Sequence, residues 1–339
     1  LWGMGKVIAL EHSEFNSVLV DLDPEVKGYL NAQTLFEEIG SKTPENQIAF
    51  RDQARFVARL VRSSPPEPSQ RVTLRRDATY LITGGLGVLG LRVAQWMIKQ
   101  GVQHLVLLGR QGASSQVQER LAQMEQAGAQ IRVVQADVSQ ATEMATALTE
   151  IEASMPPLRG IVHAAGVPGF QTLEKLEWSL FESVLRPKVL GTWVLHQLTQ
   201  RISLDFFVNF SSIASVWGSK GQSHYTAANH FLDILSHYRQ GLGLPALSIN
   251  WGPWAEGNMV TPEVHSLLAH QGINAMPIER TMAALEYLLG TACTQITVAQ
   301  VDWPIFKSLY EVTGTRLLLE KMTEGQIETH TDVSSVPKS

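Results

Sequence analysis

From Thr79 onward the chain alternates two kinds of stretch. In the first kind nearly every residue is apolar or β-branched: "TYLITGG", "HLVLLGR", "IRVVQADV", "LRGIVHAAG", "LDFFVNFSS" and "ALSINWG". Stretches with helical spacing separate them, such as "LRVAQWMIKQG" and "VQERLAQMEQAG", stopped by Gly101 and Gly128. A strand without polar alternation is covered on both faces, and strands alternating with helices pair in parallel. The pattern therefore predicts an α/β fold built on a doubly wound parallel sheet. Upstream the pattern differs. "SVLVDL" and "QIAFR" are short β-rich runs, "ARFVARLVR" alternates partly as a strand does, and "TLFEEIG" predicts a short helix ended by Gly40. Between the two regions lies "SSPPEPSQ", where Pro65, Pro66 and Pro68 remove backbone donors, so a linker is expected at 63–71. About sixty residues bury little surface alone, so residues 1–62 are expected to dock on something or to close a larger subdomain. The main unit is expected over 72–312. Residues 313–339 are read as an extension and linker, polar and flexible from Thr323.

Composition narrows the classes. The chain has 339 residues, of which 44% are hydrophobic, enough for a sizeable core. Runs such as "HLVLLG" are too short to span a bilayer, so no membrane partner is expected. The net charge of −5, without a basic block, argues against nucleic acid. Cys293 is the single cysteine, which excludes an internal disulfide and fits a reducing cytoplasm. The chain starts at Leu1 with no signal-peptide pattern, and reads as a piece of a longer polypeptide. No metal is expected.

Candidate chemistry starts at "TYLITGGLGVLG". Gly84, Gly87 and Gly90 follow a predicted strand and open a predicted helix, the context in which a glycine turn admits a pyrophosphate to backbone N–H groups. Thr83, Gly85 and Leu86 belong to the same turn. The next strand ends in Arg110 where NAD-binding folds carry an acid, and a guanidinium suits a 2′-phosphate, so NADPH is the expected cofactor. Asp137, beside Val138, is placed to accept from an adenine amino group or to cap the following helix. In "HAAG", Ala164, Ala165 and Gly166 are small enough for a nicotinamide ribose to lie against the backbone.

Tyr225 in "GQSHYTAANHFLD" raises a question. A tyrosine that protonates a ketone oxygen needs a neighbouring ammonium, because its free pKa of about 10 is high for donation near neutrality. Ordinary reductase helices carry that lysine one turn later, where this chain has Asn229. Either Tyr225 is a core tyrosine or the lysine comes from elsewhere. Lys188, among apolar residues in "LRPKVLGTWVLHQL", is the candidate, although considered alone it reads sooner as a lysine that snorkels to water.

With "YLITGGLGVLG", "GIVHAAGV", "LRPKVLGTWVLH", "FVNFSSIASVWGSKGQSHYTAANHFLD" and "SINWGPWAEGNM" taken together, the chain resembles a ketoreductase domain of a modular polyketide synthase, within the short-chain dehydrogenase/reductase superfamily. In that family lysine and asparagine have exchanged places. The resemblance implies a Rossmann-like sheet and a catalytic set of Lys188, Ser212, Tyr225 and Asn229. Ser212 would bond the ketone oxygen and Tyr225 would donate the proton. Lys188 would lower the tyrosine pKa and, with Tyr225, contact the cofactor. Asn229 would position Lys188 or a water. It also implies that 1–62 is the closing half of a degenerate reductase-like structural subdomain, that about 254–278 is a substrate lid, and that "ITVAQVDWPIF" is the final strand and its exit. The implied partner is an acyl carrier protein bearing a β-ketoacyl chain on phosphopantetheine, alongside neighbouring synthase domains. Trp217, eight residues before Tyr225, and a loop "VPGFQTLEKL" free of aspartate imply an A-type member giving the L-configured hydroxyl. There the indole would block one path and pack beside the pantetheine arm. Gln222 replaces the histidine of members that select an α-epimer, although His224 lies close by. Two other readings remain. One is a free-standing short-chain alcohol dehydrogenase, disfavoured by the ends of the chain. The other is a reductase-inactive scaffold or epimerase, disfavoured by the intact four residues.

Overall fold

Strand β4 (Thr79–Thr83) is buried along its whole length, and its side chains divide strictly between two cores. Tyr80 and Ile82 enter one and Leu81 the other. The same two-residue alternation continues next door, with Leu105 and Leu107 on one face and Val106 and Leu108 on the other. These strands can therefore exist only as the middle layer of three. The computed structural model describes residues 1–41, 43–63, 74–257, 261–312 and 314–322. The expected linker lies almost wholly outside the described residues, as does the tail from Thr323.

At the N-terminus come helix α1 (Trp2–Glu11), β1 (Leu19–Asp21), α2 (Gly28–Gly40), β2 (Gln47–Arg51) and β3 (Ala54–Val57). The three strands form a small sheet, β1–β2 parallel and β2–β3 antiparallel. After β4 the chain runs α3 (Val88–Lys99), β5 (His104–Gly109), α4 (Ser115–Gln126), β6 (Gln130–Gln135), α5 (Ala141–Ser154) and β7 (Leu158–His163). Helix α6 (Trp178–Leu185) passes through a π-helical turn, Arg186–Leu190, into α7 (Gly191–Thr199). Then come β8 (Phe206–Ser212), the short α8 (Ala214–Trp217), α9 (Ser223–Gly241) and β9 (Leu247–Trp251). The last elements are α10 (Pro262–His270), β10 (Ile273–Asn274), α11 (Ile278–Leu289), β11 (Gln295–Val298), β12 (Gln300–Val301) and α12 (Trp303–Tyr310).

The main sheet has seven strands in the order β11-β9-β8-β7-β4-β5-β6, and every pairing is parallel. Chain order reverses between β4 and β7, so a crevice opens at their carboxyl ends, where doubly wound folds bind ligands. Helices α3, α4 and α11 cover one face, and α5 and α7 the other. Helix α9 lies on the second face, because Asn209 and Ser211 of β8 hydrogen-bond to it there while Val208 and Phe210 point into the first core.

The N-terminal segment docks on the domain as its length required, and α1 lies against α9. Contact is backbone-close: a Cβ on Gly3 would stand 2.7 Å from the Thr226 carbonyl oxygen and 2.9 Å from Ala227 Cα. At the far end the expected single last strand divides at Ala299. Strand β11 stays in the main sheet, while β12 turns to pair antiparallel with β10 of the expected lid. Residues 258–260 of that lid lie outside the described residues. Part of the segment expected as extension is packed instead, for Leu318 and Leu319 are buried with Trp217 and Phe306. Among the described residues no helix is long and apolar enough to cross a membrane.

Gly3→Val forces α1 away from α9, so urea unfolding is expected to show a loss of about 1–3 kcal/mol. An unchanged midpoint would show that α1 does not depend on this contact.

Candidate active site

A cleft of about 480 Å³ lies at the reversal point, lined by Gly84, Arg110, Asp137, Val138, Ala165 and Gly166 among others. Its floor is the glycine turn. Gly84 has φ +66°, and a Cβ there would meet the Ala164 carbonyl at 2.9 Å. A Cβ on Gly90 would stand 2.4 Å from the Gly84 oxygen, so the first turn of α3 presses directly on the loop. The Gly85 amide donates to Leu108 and the Gly87 amide to Gly84, which fixes the turn across Leu86. Helix α3 starts just after Gly87 and directs its N-terminus at this end of the sheet. Such a cradle, closed to side chains and open to a ligand, fits a dinucleotide pyrophosphate.

Charge along the cleft has the matching sign. Arg110 is exposed just past the end of β5 and lines the cleft together with Asp137. Asp137 does not cap α5, whose N-cap is Gln140. Its Oδ1 instead accepts from the Ser139 amide at 2.9 Å and hydroxyl at 2.8 Å. Burial alone would raise its pKa, but these bonds, with Arg110 and Arg186, hold the carboxyl below its usual range. Thr83 turns its hydroxyl inward to His163 Nδ1, at 2.7 Å. Burial, then the nearby Lys188, lowers the His163 pKa to about 3, so the ring is neutral.

Beside the cleft stand Ser212 at the end of β8, Tyr225 in the first turn of α9, and Lys188 in the π-helical turn. Lys188 is only 4% exposed, and its Nζ donates to the Phe210 carbonyl at 3.0 Å, 5.9 Å from the centre of the Tyr225 ring. It does not snorkel. Burial lowers its pKa to about 8, with Asp233 opposing. Asn229 Nδ2 donates to the Tyr225 carbonyl at 2.8 Å, while its Oδ1 is buried without a partner. Burial raises the Tyr225 pKa, and hydrogen bonding from the Ser212 and Asn229 side chains opposes the rise. The ammonium is engaged by the Phe210 carbonyl rather than by the phenol oxygen.

Trp217 closes α8. Its indole is 3% exposed and packs on Phe306 and Trp303 of α12, with centroids at 5.1 and 6.1 Å. Gln222 Nε2 reaches the Gly169 carbonyl at 3.4 Å, bringing the loop after β7 against the loop before Tyr225.

Comparison with known proteins matches this geometry. A family model described as "KR domain" matches residues 78–256. The chain belongs to the ketoreductase family of modular polyketide synthases. It is 36% identical over 324 residues to polyketide synthase GfsA of Streptomyces halstedii, covering 96% of this chain and 4% of that one. It is 36% identical over 331 residues to the pikromycin synthase component PikAIII of Streptomyces venezuelae, covering 96% and 21%. The ketoreductase chain thus spans a small part of these relatives. A solved A1-type ketoreductase superposes with a TM-score of 0.88 at 35% identity, covering 95% of this chain and 68% of that one. A C2-type ketoreductase gives 0.87 at 27% identity, covering 95% and 69%.

Several residues of this ketoreductase site escaped the sequence. Arg186 and Pro187 line the cleft beside Lys188, and "LRPK" held them in plain view. Asp233 is fully buried behind the site, accepting from Ser215 and Ser248 at 2.6 Å and Asn250 at 2.8 Å. Lys6 of α1 donates to the Ser215 carbonyl at 2.7 Å, and burial lowers its pKa to about 8, again opposed by Asp233. No local pattern marks a carboxylate that serves two lysines so distant in sequence.

Both lysines owe part of their basicity to Asp233. NMR of ε-13C-labelled lysines is therefore expected to show two side chains titrating near pH 8, both moving lower in Asp233→Asn. Titration of all lysines near the free value would contradict this.

Proposed function

We propose that this domain reduces the β-ketone of an acyl thioester, held on the phosphopantetheine arm of an acyl carrier protein, to the β-hydroxyacyl thioester, using NADPH. The observation that carries the reading is the convergence of Ser212, Tyr225 and buried Lys188 beside a cleft floored by Gly84. Membership of the ketoreductase family supports it. NADPH, when bound, supplies the hydride. The glycine turn and Ala164–Gly166 hold the dinucleotide, and Arg110 meets the 2′-phosphate. Ser212 Oγ donates a hydrogen bond to the ketone oxygen as negative charge develops there. Tyr225 transfers its phenolic proton to that oxygen. A phenol kept protonated by burial carries its proton up to this moment. The Lys188 ammonium then stabilises the phenolate left behind. Asn229 fixes the backbone at Tyr225 through its amide and offers Oδ1 to a water that returns the proton. Relatives in which such domains form part of long chains support neighbouring synthase domains and a carrier protein as partners.

We further propose an A-type product, the L-configured alcohol, without selection for an epimerised α-methyl group. The loop over 167–176 has no aspartate, Trp217 holds its position, and Gln222 replaces histidine. A-type ketoreductases, at 35% and 34% identity, stand nearer than the C2-type at 27%.

Tyr225→Phe is expected to abolish NADPH oxidation by a β-keto thioester while NADPH still binds, and Lys188→Ala to weaken both. Turnover near the wild-type rate in Tyr225→Phe would remove the tyrosine from its role. Arg110→Ala is expected to lower NADPH affinity about tenfold to a hundredfold, eroding the preference over NADH. Equal efficiency of the wild type with both cofactors would refute the phosphate contact. Racemic 2-methyl-3-keto thioester, resolved by chiral chromatography, is expected to give mainly L-alcohol. A predominantly D product would overturn the stereochemical reading and leave the reduction standing.

A further inference from the structure

Helix α1 ends in Glu11, remote in sequence from every residue of the site. Its carboxylate nevertheless grips the two loops that frame Tyr225. Oε2 accepts from the Leu173 amide at 2.8 Å, in the loop after β7, and Oε1 accepts from the Gly221 amide at 2.6 Å, in the loop that leads into α9. The two loops are joined to each other at the same place. The Gln171 amide donates to the Gly221 carbonyl at 2.7 Å, Gln222 Nε2 reaches the Gly169 carbonyl, and the Phe170 ring lies over Gly221. Both amides belong to loop backbone with no ladder of its own, so a single acceptor group serves two donors that would otherwise turn to water. A carboxylate is suited to this because it has two acceptor oxygens and its bonds to backbone N–H are charge-assisted.

We propose that Glu11 is a positioning residue for stereocontrol: it clasps the loop at 167–176 to the loop at 218–222 and so closes one side of the Tyr225 mouth to the acyl chain. The docking of α1 on α9 sets the carboxylate in place, since α1 is held at Gly3 against Thr226 and at Lys6 against Ser215. The segment before β1 thereby reaches the reacting centre without touching substrate or cofactor. The proposal rests on the reductase reading for its catalytic consequence, but the clasp itself does not.

The test uses Glu11→Ala and Glu11→Gln, the second retaining one acceptor oxygen. Amide exchange at Leu173 and Gly221 reads the clasp without any turnover. Protection at both sites is expected to fall in Glu11→Ala and at one of them in Glu11→Gln. With the 2-methyl-3-keto thioester, Glu11→Ala is expected to raise KM about tenfold, with kcat changed less, and to mix the product diastereomers. A small cyclic ketone lacking the thioester arm is expected to be reduced as in the wild type. Retained protection at both amides overturns the clasp. Lost protection with an unchanged diastereomer ratio overturns its part in stereocontrol. Should Glu11→Ala not fold, Glu11→Gln decides by the same readouts. A wild type that reduces nothing would defeat the reductase reading, and with it the stereochemical role, while exchange would still decide the clasp.

Discussion

An ammonium group inside a protein has lost its water, and among the described residues Lys188 donates to the Phe210 carbonyl and has Asp233 as a compensating charge. The fall of its pKa from 10.5 to about 8 corresponds to roughly 3 kcal/mol against the charged form. Much of the surrounding architecture can be understood as what allows that group to stay. The π-helical turn between α6 and α7 presents the side chain inward, with Pro187 contributing no amide of its own and Thr192 Oγ1 donating to the Lys188 carbonyl. Polar residues on one face of β8 and β9 then become intelligible. Asn209, Ser211, Ser248 and Asn250 are fully or almost fully buried and meet Asp233 and Ser236 of α9 in a hydrogen-bonded set. An apolar face there would leave Asp233 unpaired, and the lysines without their counter-charge.

The same network explains why the N-terminal helix belongs to the domain and is not an ornament on it. Lys6 and Lys188 approach Asp233 from opposite elements. Removing α1 would strip one cation from the carboxylate and release the Ser215 carbonyl that Lys6 holds in α8. Trp217, at the end of α8, is fixed from its other side by Tyr310, whose hydroxyl donates to its carbonyl. Both ends of α8 thus rest on α1 and α12, elements from opposite ends of the chain.

The parallel sheet was legible because burial on both faces leaves its strands as uninterrupted apolar runs, and "TYLIT" is the clearest. The glycine turn was legible because backbone contact tolerates no other residue at Gly84 or Gly90. Lys188 and Tyr225 could be paired only through the resemblance, since nothing local to either names the other. What escaped depends on contacts across long sequence distances. Asp233 reads as an ordinary helix residue in "FLDIL", and Glu11 as an exposed acid at a helix end. The division of the last strand at Ala299 arises because β10 captures Gln300 and Val301, a tertiary choice that the run "ITVAQV" does not record. Trp217 was placed correctly along the chain, but its partners on α12 lie far downstream.

Delivery of a hydride to a β-ketone is the step on which the proposed function rests. The most direct measurement is a single turnover of a β-keto thioester with NADPH carrying deuterium at both C4 positions, followed by mass spectrometry and NMR of the product. A β-hydroxy thioester with one deuterium on the β-carbon and none elsewhere is expected. A product without label at that carbon, or recovery of ketone altered only at its α-carbon, would contradict it.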